Sequence, residues 1–264
     1  MADRRETQTQ TRTRTRRRSE TGTEYGETWV YESIVGALPG VEVPNAAAIA
    51  IQFLGFETLV VVLWAAYDLP QTALVAGTVA VTVAAIGSAV MLLLGGRLRS
   101  IPAPEQYRRL LFGSSVEVVL GVLAFVALVT HLFVYDPQQA GEPLVETLFG
   151  PPGERPTPVV YITLLVLWDV VYRIGTGWWA CVVALWRSYR FSFDPETARA
   201  FQCADAINLG FGLTQTLLLP FVLDRPVLLL VVTGHVLAVV GVSAASIAML
   251  QLRTPSADEE LTPS

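Results

Sequence analysis

Asp169 and Arg173 stand four residues apart inside an apolar run from about Val159 to Trp186. On a helix this spacing brings the two side chains together on one face. A charge at that depth in a bilayer is costly unless it is paired or faces a wet interior. The pair therefore reads either as an internal ion pair that orients a bundle or as a gate or ligand counter-ion. Thr176 and Ala180 continue the same face. Glu57, in Leu54-Gly-Phe-Glu-Thr-Leu59, lies at the centre of an earlier apolar run with no basic residue on its own helix. It is either a neutral acid hydrogen-bonded to Gln52 or Thr58, or a second partner for Arg173. The second option would place two acids and one base at mid-membrane, a cluster able to exchange a proton.

Asp205, Asn208, Gly212 and Gln215 follow one another at helical spacing, a polar stripe on an otherwise apolar segment. It reads either as a water-accessible inner vestibule or as a set of interhelical hydrogen bonds. Glu117, nearer the edge of its run, is within reach of Arg108, Arg109 or the headgroups. His131 and His235 have no third ligand at useful spacing, so no metal site is expected. Cys181 and Cys203 read as small packing residues rather than a structural disulfide. No phosphate loop, Cys-x-x-Cys or His-Glu-x-x-His motif occurs. Gly175-Thr-Gly177 lacks the serine of an intramembrane serine protease, and the adjacent acids Glu259-Glu260 fall in a polar tail. No catalytic residue and no cofactor is expected.

The elements that must position these side chains are apolar runs. The chain is 52% hydrophobic and 16% charged, against about 25% charged in a soluble domain. The runs of 18 or more apolar residues predict an all-α, polytopic membrane bundle of six transmembrane helices. They cover about Ala46–Ala66, Thr72–Leu94, Gly113–Val134, Val159–Trp186, Cys203–Leu223 and Val227–Leu250. Gly95-Gly96-Arg97 is expected to close the second. Ala76, Ala80, Ala84 and Ser88 form a ridge of small residues there, and Ser243 and Ser246 do so in the sixth, both suited to close helix packing. Residues 1–24, rich in Thr and Arg, read as a disordered arm. Residues 25–40 place Val30, Tyr31, Ile34, Val35 and Leu38 opposite Glu27, Thr28 and Glu32, with the interface-seeking Tyr25 and Trp29. An amphipathic surface helix is predicted there, ended by Pro39-Gly40. Residues 41–253 form the transmembrane domain and 254–264 a polar tail.

All 18 basic residues are arginine. With the N-terminus inside, Arg4, Arg5, Arg12, Arg14, Arg16, Arg17, Arg18, Arg97, Arg99, Arg108, Arg109, Arg187, Arg190, Arg199 and Arg253 all fall on one side. Only Arg155 and Arg225 fall outside, and Arg173 lies within a span. This bias places both termini in the cytoplasm. Asp194-Pro195 carries the signature of a helix start, an acid cap followed by proline at the first turn.

The run Tyr25-Gly-Glu-Thr-Trp-Val-Tyr-Glu-Ser-Ile-Val-Gly-Ala-Leu-Pro-Gly40, the run Gly113-Ser-Ser-Val-Glu-Val-Val-Leu-Gly121, and the lysine-free, acidic composition resemble uncharacterised multi-spanning membrane proteins of haloarchaea. The resemblance covers roughly residues 25–253 and implies a membrane location but no activity. The expected function is a non-enzymatic structural or interaction module of the cell membrane, with a polar core around Glu57, Asp169 and Arg173. Its expected partners are the lipid bilayer and a second copy or other membrane proteins, with no nucleic acid. The alternative is a proton- or cation-coupled transporter, with Glu57 as the titrating acid and Asp205 and Asn208 as the inner entrance.

Overall fold

In lipid, a lone apolar segment can satisfy its backbone polar groups internally only as a helix, and the runs found in the sequence obey that constraint. A computed structural model describes Trp29 and residues 44–254, and every described element is helical. In chain order these are α1 (Asn45–Ala66), α2 (Gln71–Ser100), α3 (Glu105–Phe112), α4 (Val116–Thr130), α5 (Leu144–Phe149), α6 (Thr157–Arg190), α7 (Pro195–Thr214) and α8 (Pro226–Arg253). A π turn at His131–Tyr135 and a 3-10 turn at Asp136–Gln138 continue α4, and a 3-10 stretch at Gln215–Phe221 continues α7.

Among the described residues, five helices are long and apolar enough to cross a membrane: Asn45–Ala66, Gln71–Ser100, Glu105–Gln138, Thr157–Arg190 and Pro226–Arg253. The expected span at Cys203–Leu223 does not stand with them. Its helix begins eight residues earlier, at Pro195, and carries Glu196, Arg199, Gln202, Asp205 and Asn208. The α-helical register stops at Thr214. Even so, α7 and the 3-10 stretch that continues it link the loop after Arg190 to the turn before Pro226, and α7 packs against α8, α2 and α6. Neighbouring helices shield Asp205 and Asn208, while Glu196 and Arg199 stay exposed at its first turns, so α7 does not need to be apolar all round.

Other boundaries moved for local reasons. Gly95 and Gly96 lie within α2, which continues to Ser100 and stops where Ile101 turns extended (ψ 135°) before Pro102, as the residue before a proline must. Ser115, with φ 52°, adopts a left-handed backbone and separates the short amphipathic α3 from α4. The surface helix expected at residues 25–40 lies outside the described residues, apart from Trp29. That indole is 2% exposed and packs 5.0 Å from the Phe112 ring. It is therefore a core residue, alongside Met91, Leu98, Tyr107 and Phe201, rather than an interfacial one.

Helix α6 is the hub, touching α1, α2, α3, α4, α7 and α8. At 34 residues it is about 51 Å long, well beyond a hydrocarbon core of about 30 Å. Its contact with α4 is backbone to backbone. A Cβ on Gly175 would meet Gly121 N at 3.3 Å, and one on Gly121 would meet Tyr172 Cδ2 at 3.2 Å. Such small-residue contacts let helices pack closely where water provides no driving force.

The two ends of the bundle are tied differently. At one end Arg253 Nη1 donates to Ser188 O at 3.0 Å and also to Tyr189 O, satisfying terminal carbonyls of α6. At the other, Asp136 accepts from Leu144 N (2.7 Å) and pairs with Arg225 (3.2 Å), joining the end of α4 to the α7–α8 turn. Arg225 also bonds Glu142 O, and Arg155 pairs with Glu146 at 3.4 Å. Both arginines that break the charge bias are thus tied to local acids.

Asp194 caps α7 as its position before Pro195 suggests, accepting from Thr197 N (2.9 Å) and Glu196 N (3.1 Å). The Thr197 and Glu196 donors hold its carboxyl below the ordinary aspartate range. A depressed folded pKa means that the cap's contribution is present above the ordinary value of about 3.9 and fades as pH falls through the lower folded value. Amide exchange at Glu196 and Thr197 should quicken in that acidic window, relative to the intrinsic rate at each pH. Asp194→Ala should quicken it at pH values above that window and remove this extra pH dependence. Unchanged protection in the variant would show that the carboxylate does not cap the helix.

Candidate functional site

The Asp169–Arg173 pair forms as the spacing predicts. Arg173 Nη2 lies 2.6 Å from Asp169 Oδ1, and the guanidinium is completely buried. The second carboxylate oxygen, Oδ2, accepts from Gln52 Nε2 of α1 at 2.7 Å. Ser88 of α2 is placed to donate to Gln52 Oε1 at a long 3.4 Å, and Arg173 Nη1 faces Met91 Sδ at 3.7 Å. One ion pair on α6 therefore gathers polar side chains from α1 and α2. Arg173 Nε has no partner among the described residues.

Room for the arginine comes from Gly87. A Cβ there would lie 2.6 Å from Arg173 Cδ and 3.0 Å from Phe211 Cζ. The ridge of small residues on α2 thus does more than bring helices close: it opens the slot that the arginine stem fills. The cavity beside Asp169 holds only about 10 Å³, between Phe53, Phe56, Val81 and Val166. That is room for about one water molecule.

Glu57 is not part of this cluster. Its Oε1 accepts from Thr78 Oγ1 at 2.7 Å, across the α1–α2 interface, and its buried Oε2 has no partner among the described residues. Gln52, one of the two expected local partners of Glu57, is instead committed to Asp169. Of the two candidate partners for Arg173, the acid on its own helix takes it.

Asp205 belongs to a second buried network, nearer the Arg253 end of the bundle. Arg187 Nη2 donates to Asp205 Oδ2 at 2.7 Å, and Ser246 Oγ of α8 donates to the same oxygen at 2.7 Å. Ser188 Oγ lies 2.8 Å from Ser246 Oγ and 3.0 Å from Ala184 O, so its single hydrogen goes to one or the other. The Arg187 guanidinium sits over the Phe201 ring at 4.0 Å and the Tyr107 ring at 5.3 Å. Such stacking supplies cation–π attraction to a desolvated charge. Asn208 stands apart, donating from Nδ2 to Gly177 O at 2.9 Å. The stripe read as a vestibule is thus taken up by contacts between helices.

Two further expectations are corrected. Glu117 is completely buried, and neither of its carboxylate oxygens has a partner among the described residues. Arg109 pairs instead with Glu105, and Arg108 donates to Arg99 O and Ile101 O. Arg187, counted with the loop arginines, is as deeply buried as Arg173. The signal for it was present: Asp169, Arg173, Thr176, Ala180, Ala184 and Arg187 recur at steps of three and four along one face of α6. Nothing comparable marks Tyr107 or Phe201, which reach Arg187 from separate helices. Cys181 and Cys203 are both unbridged; Cys181 is buried as a packing residue would be, whereas Cys203 is exposed beside Arg97.

Chemically, the two networks are closed ion pairs. Each arginine has a carboxylate, and each carboxylate has a second donor. Removing one partner of such a buried pair costs about 3–5 kcal/mol, because it strands the other charge. Asp169→Asn should therefore lower unfolding free energy in detergent by about that amount. Glu57→Gln, whose side chain can still accept from Thr78, should cost less than about 1 kcal/mol. Replacing both members, Asp169→Leu with Arg173→Met, should recover most of the loss. Equal effects of Asp169→Asn and Glu57→Gln would remove the distinction between the two acids.

Comparison with known proteins adds a family but no activity. No curated protein and no solved structure matches significantly. Residues 24–246 match a family of unknown function, DUF7530, and the match takes in α1 through α7 and most of α8. With its several long apolar helices, the chain is an integral membrane protein, and it belongs to the DUF7530 family.

Proposed function

We propose that the protein is a non-enzymatic structural or interaction module of the cell membrane. Its chain crosses six times, with α7 as a shielded polar crossing and both termini in the cytoplasm. One observation carries the reading: the fully buried guanidiniums of Arg173 and Arg187 are each paired within the described bundle, to Asp169 and Asp205. Guanidiniums committed in this way are not free to meet a passing ion, and the Arg187–Asp205 pair also ties the register of α6 to that of α7. Much of α1 and α4 faces outward, which leaves lateral surfaces for lipid, a second copy or another membrane protein.

The six-crossing arrangement is supported by the path of α7 between the two ends and by the clustering of arginines at the Arg253 end. Single cysteines at Ser192 and Gln139, in a background without Cys181 and Cys203, should react with an impermeant maleimide from opposite sides. Ser192→Cys should react from the cytoplasm. Reaction of both from the same side would break the topology.

Transport is the competing outcome. Proteoliposomes containing the protein should dissipate imposed proton, sodium and potassium gradients no faster than protein-free vesicles. A protein-dependent flux that Glu57→Gln abolishes would replace the scaffold with a coupled transporter.

A further inference from the structure

At the Arg253 end of the bundle the last turns of α6 and α8 meet, and an open groove of about 530 Å³ lies beside them. Its lining is Tyr189, Arg190, Met249 and Arg253. Two cations therefore share one groove, and among the described residues no acid lines it. Both arginines are exposed, so a ligand can reach them, unlike the buried Arg173 and Arg187. Asp194, the nearest acid to Arg190 along the chain, is spent on the α7 cap. Other arginines at this end are engaged elsewhere, Arg109 with Glu105 and Arg97 with Cys203 Sγ.

Both guanidiniums are steadied by contacts that leave nitrogens to spare. Arg253 donates to Ser188 O and Tyr189 O from Nη1 alone, and its Nε and Nη2 donate to nothing among the described residues. The same bonds cover terminal carbonyls of α6, whose partial negative charge would otherwise repel an anion. Arg190 Cζ stands 5.8 Å from the centre of the Phe191 ring, which packs in turn on Trp186 and Phe193. A free Nε–Nη2 edge is the fork that takes two oxygens of a phosphate, and Arg190 supplies donors for a third. The position of the groove selects the source of that phosphate. α6 and α8 are both long and apolar enough to cross a membrane, so their arginine-bearing last turns reach the headgroup layer. Tyr189 is 68% exposed, and Leu252, next to Arg253, is 86% exposed. Apolar side chains exposed beside two cations suit an anion that carries acyl chains better than a fully hydrated one, and basic pockets between spans take up lipid headgroups.

We propose that this groove binds the phosphate of an anionic bilayer lipid, held between the free edge of Arg253 and the guanidinium of Arg190. The bilayer presents such phosphates at the mouth of the groove without diffusion from water. The contact joins a lipid to the last turns of α6 and α8 and leaves both buried ion pairs untouched.

The test titrates the full-length protein, in neutral detergent, with phosphatidic acid and with phosphatidylcholine of the same chains, and counts bound lipid by native mass spectrometry. The ionic strength is held at about 0.15 M, where exposed charges more than about 8 Å apart are largely screened. The first phosphatidic acid should bind more tightly than phosphatidylcholine, and Arg190→Gln should weaken that step about tenfold, as loss of a charge-assisted hydrogen bond does. Arg253→Lys keeps the charge, loses the fork and should weaken the step as well. Arg199→Gln removes an equal charge from an exposed residue of α7 outside the groove lining, and should change the step less than about twofold. Equal affinity for the two lipids overturns the proposal. So does an Arg199→Gln loss equal to that of Arg190→Gln, which would reduce the binding to diffuse attraction and stays decisive if Arg253→Lys fails to fold. Glycerol phosphate at the concentration of the lipid should leave the bound lipid in place, and its displacement of the lipid would overturn a lipid site in favour of one for soluble phosphate.

Discussion

Two guanidinium groups on one helix, both at zero exposure, set the terms for the rest of the molecule. Arg173 and Arg187 cannot be left uncompensated in a bilayer, so carboxylates and hydrogen-bonding side chains must be delivered to them by defined neighbours. Arg173 takes its acid from its own helix and then draws Gln52 from α1 and a slot at Gly87 from α2. Arg187 takes its acid from α7 and a serine from α8, between the rings of Tyr107 and Phe201. Sliding α7 by a residue would strand the Arg187 charge, and sliding α1 or α2 would take Gln52 or the Gly87 slot away from the Arg173 pair, so these contacts act as register pins. Dispersion and close glycine contacts then hold the register they define.

The same constraint explains why α7 can be so polar. Its Asp205 and Asn208 face α6 and α8, where each meets a donor or acceptor already in place. A helix that pairs its polar atoms sideways does not need the uniform apolarity of α1 or α4. The cost appears in atoms without a partner among the described residues, such as Arg173 Nε, Arg187 Nε and Asn208 Oδ1. Each is a secondary atom of a side chain whose main contact is satisfied.

Helices were easier to read from sequence than partnerships. Apolar run length located α1, α2, α6 and α8 to within a few residues at most ends, because length and apolarity are local properties that a bilayer rewards directly. The Asp194 cap and the i,i+4 pair were legible for the same reason, since every atom involved lies within one turn. In sequence Glu57 reads either as a neutral acid or as a rival partner for Arg173, and nothing in its own helix reveals that Thr78 stands across the interface. Arg187 was counted as a loop residue because arginine near a helix end ordinarily faces the headgroups, and only its place on the α6 stripe signals otherwise. Gly87 as a slot for an arginine stem is a property of two helices at once, and no single segment encodes it.

Arginine side-chain hydrogen exchange in nanodiscs reads these buried charges directly. With 15N-labelled guanidiniums, the Arg173 and Arg187 signals are expected to be resolved and to exchange far more slowly than those of an exposed residue such as Arg109. Asp205→Asn is expected to speed exchange at Arg187 while leaving Arg173 protected, since the two networks are separate. Rapid exchange at both arginines in the wild-type protein, or loss of protection at both in the variant, would contradict two closed and independent ion pairs.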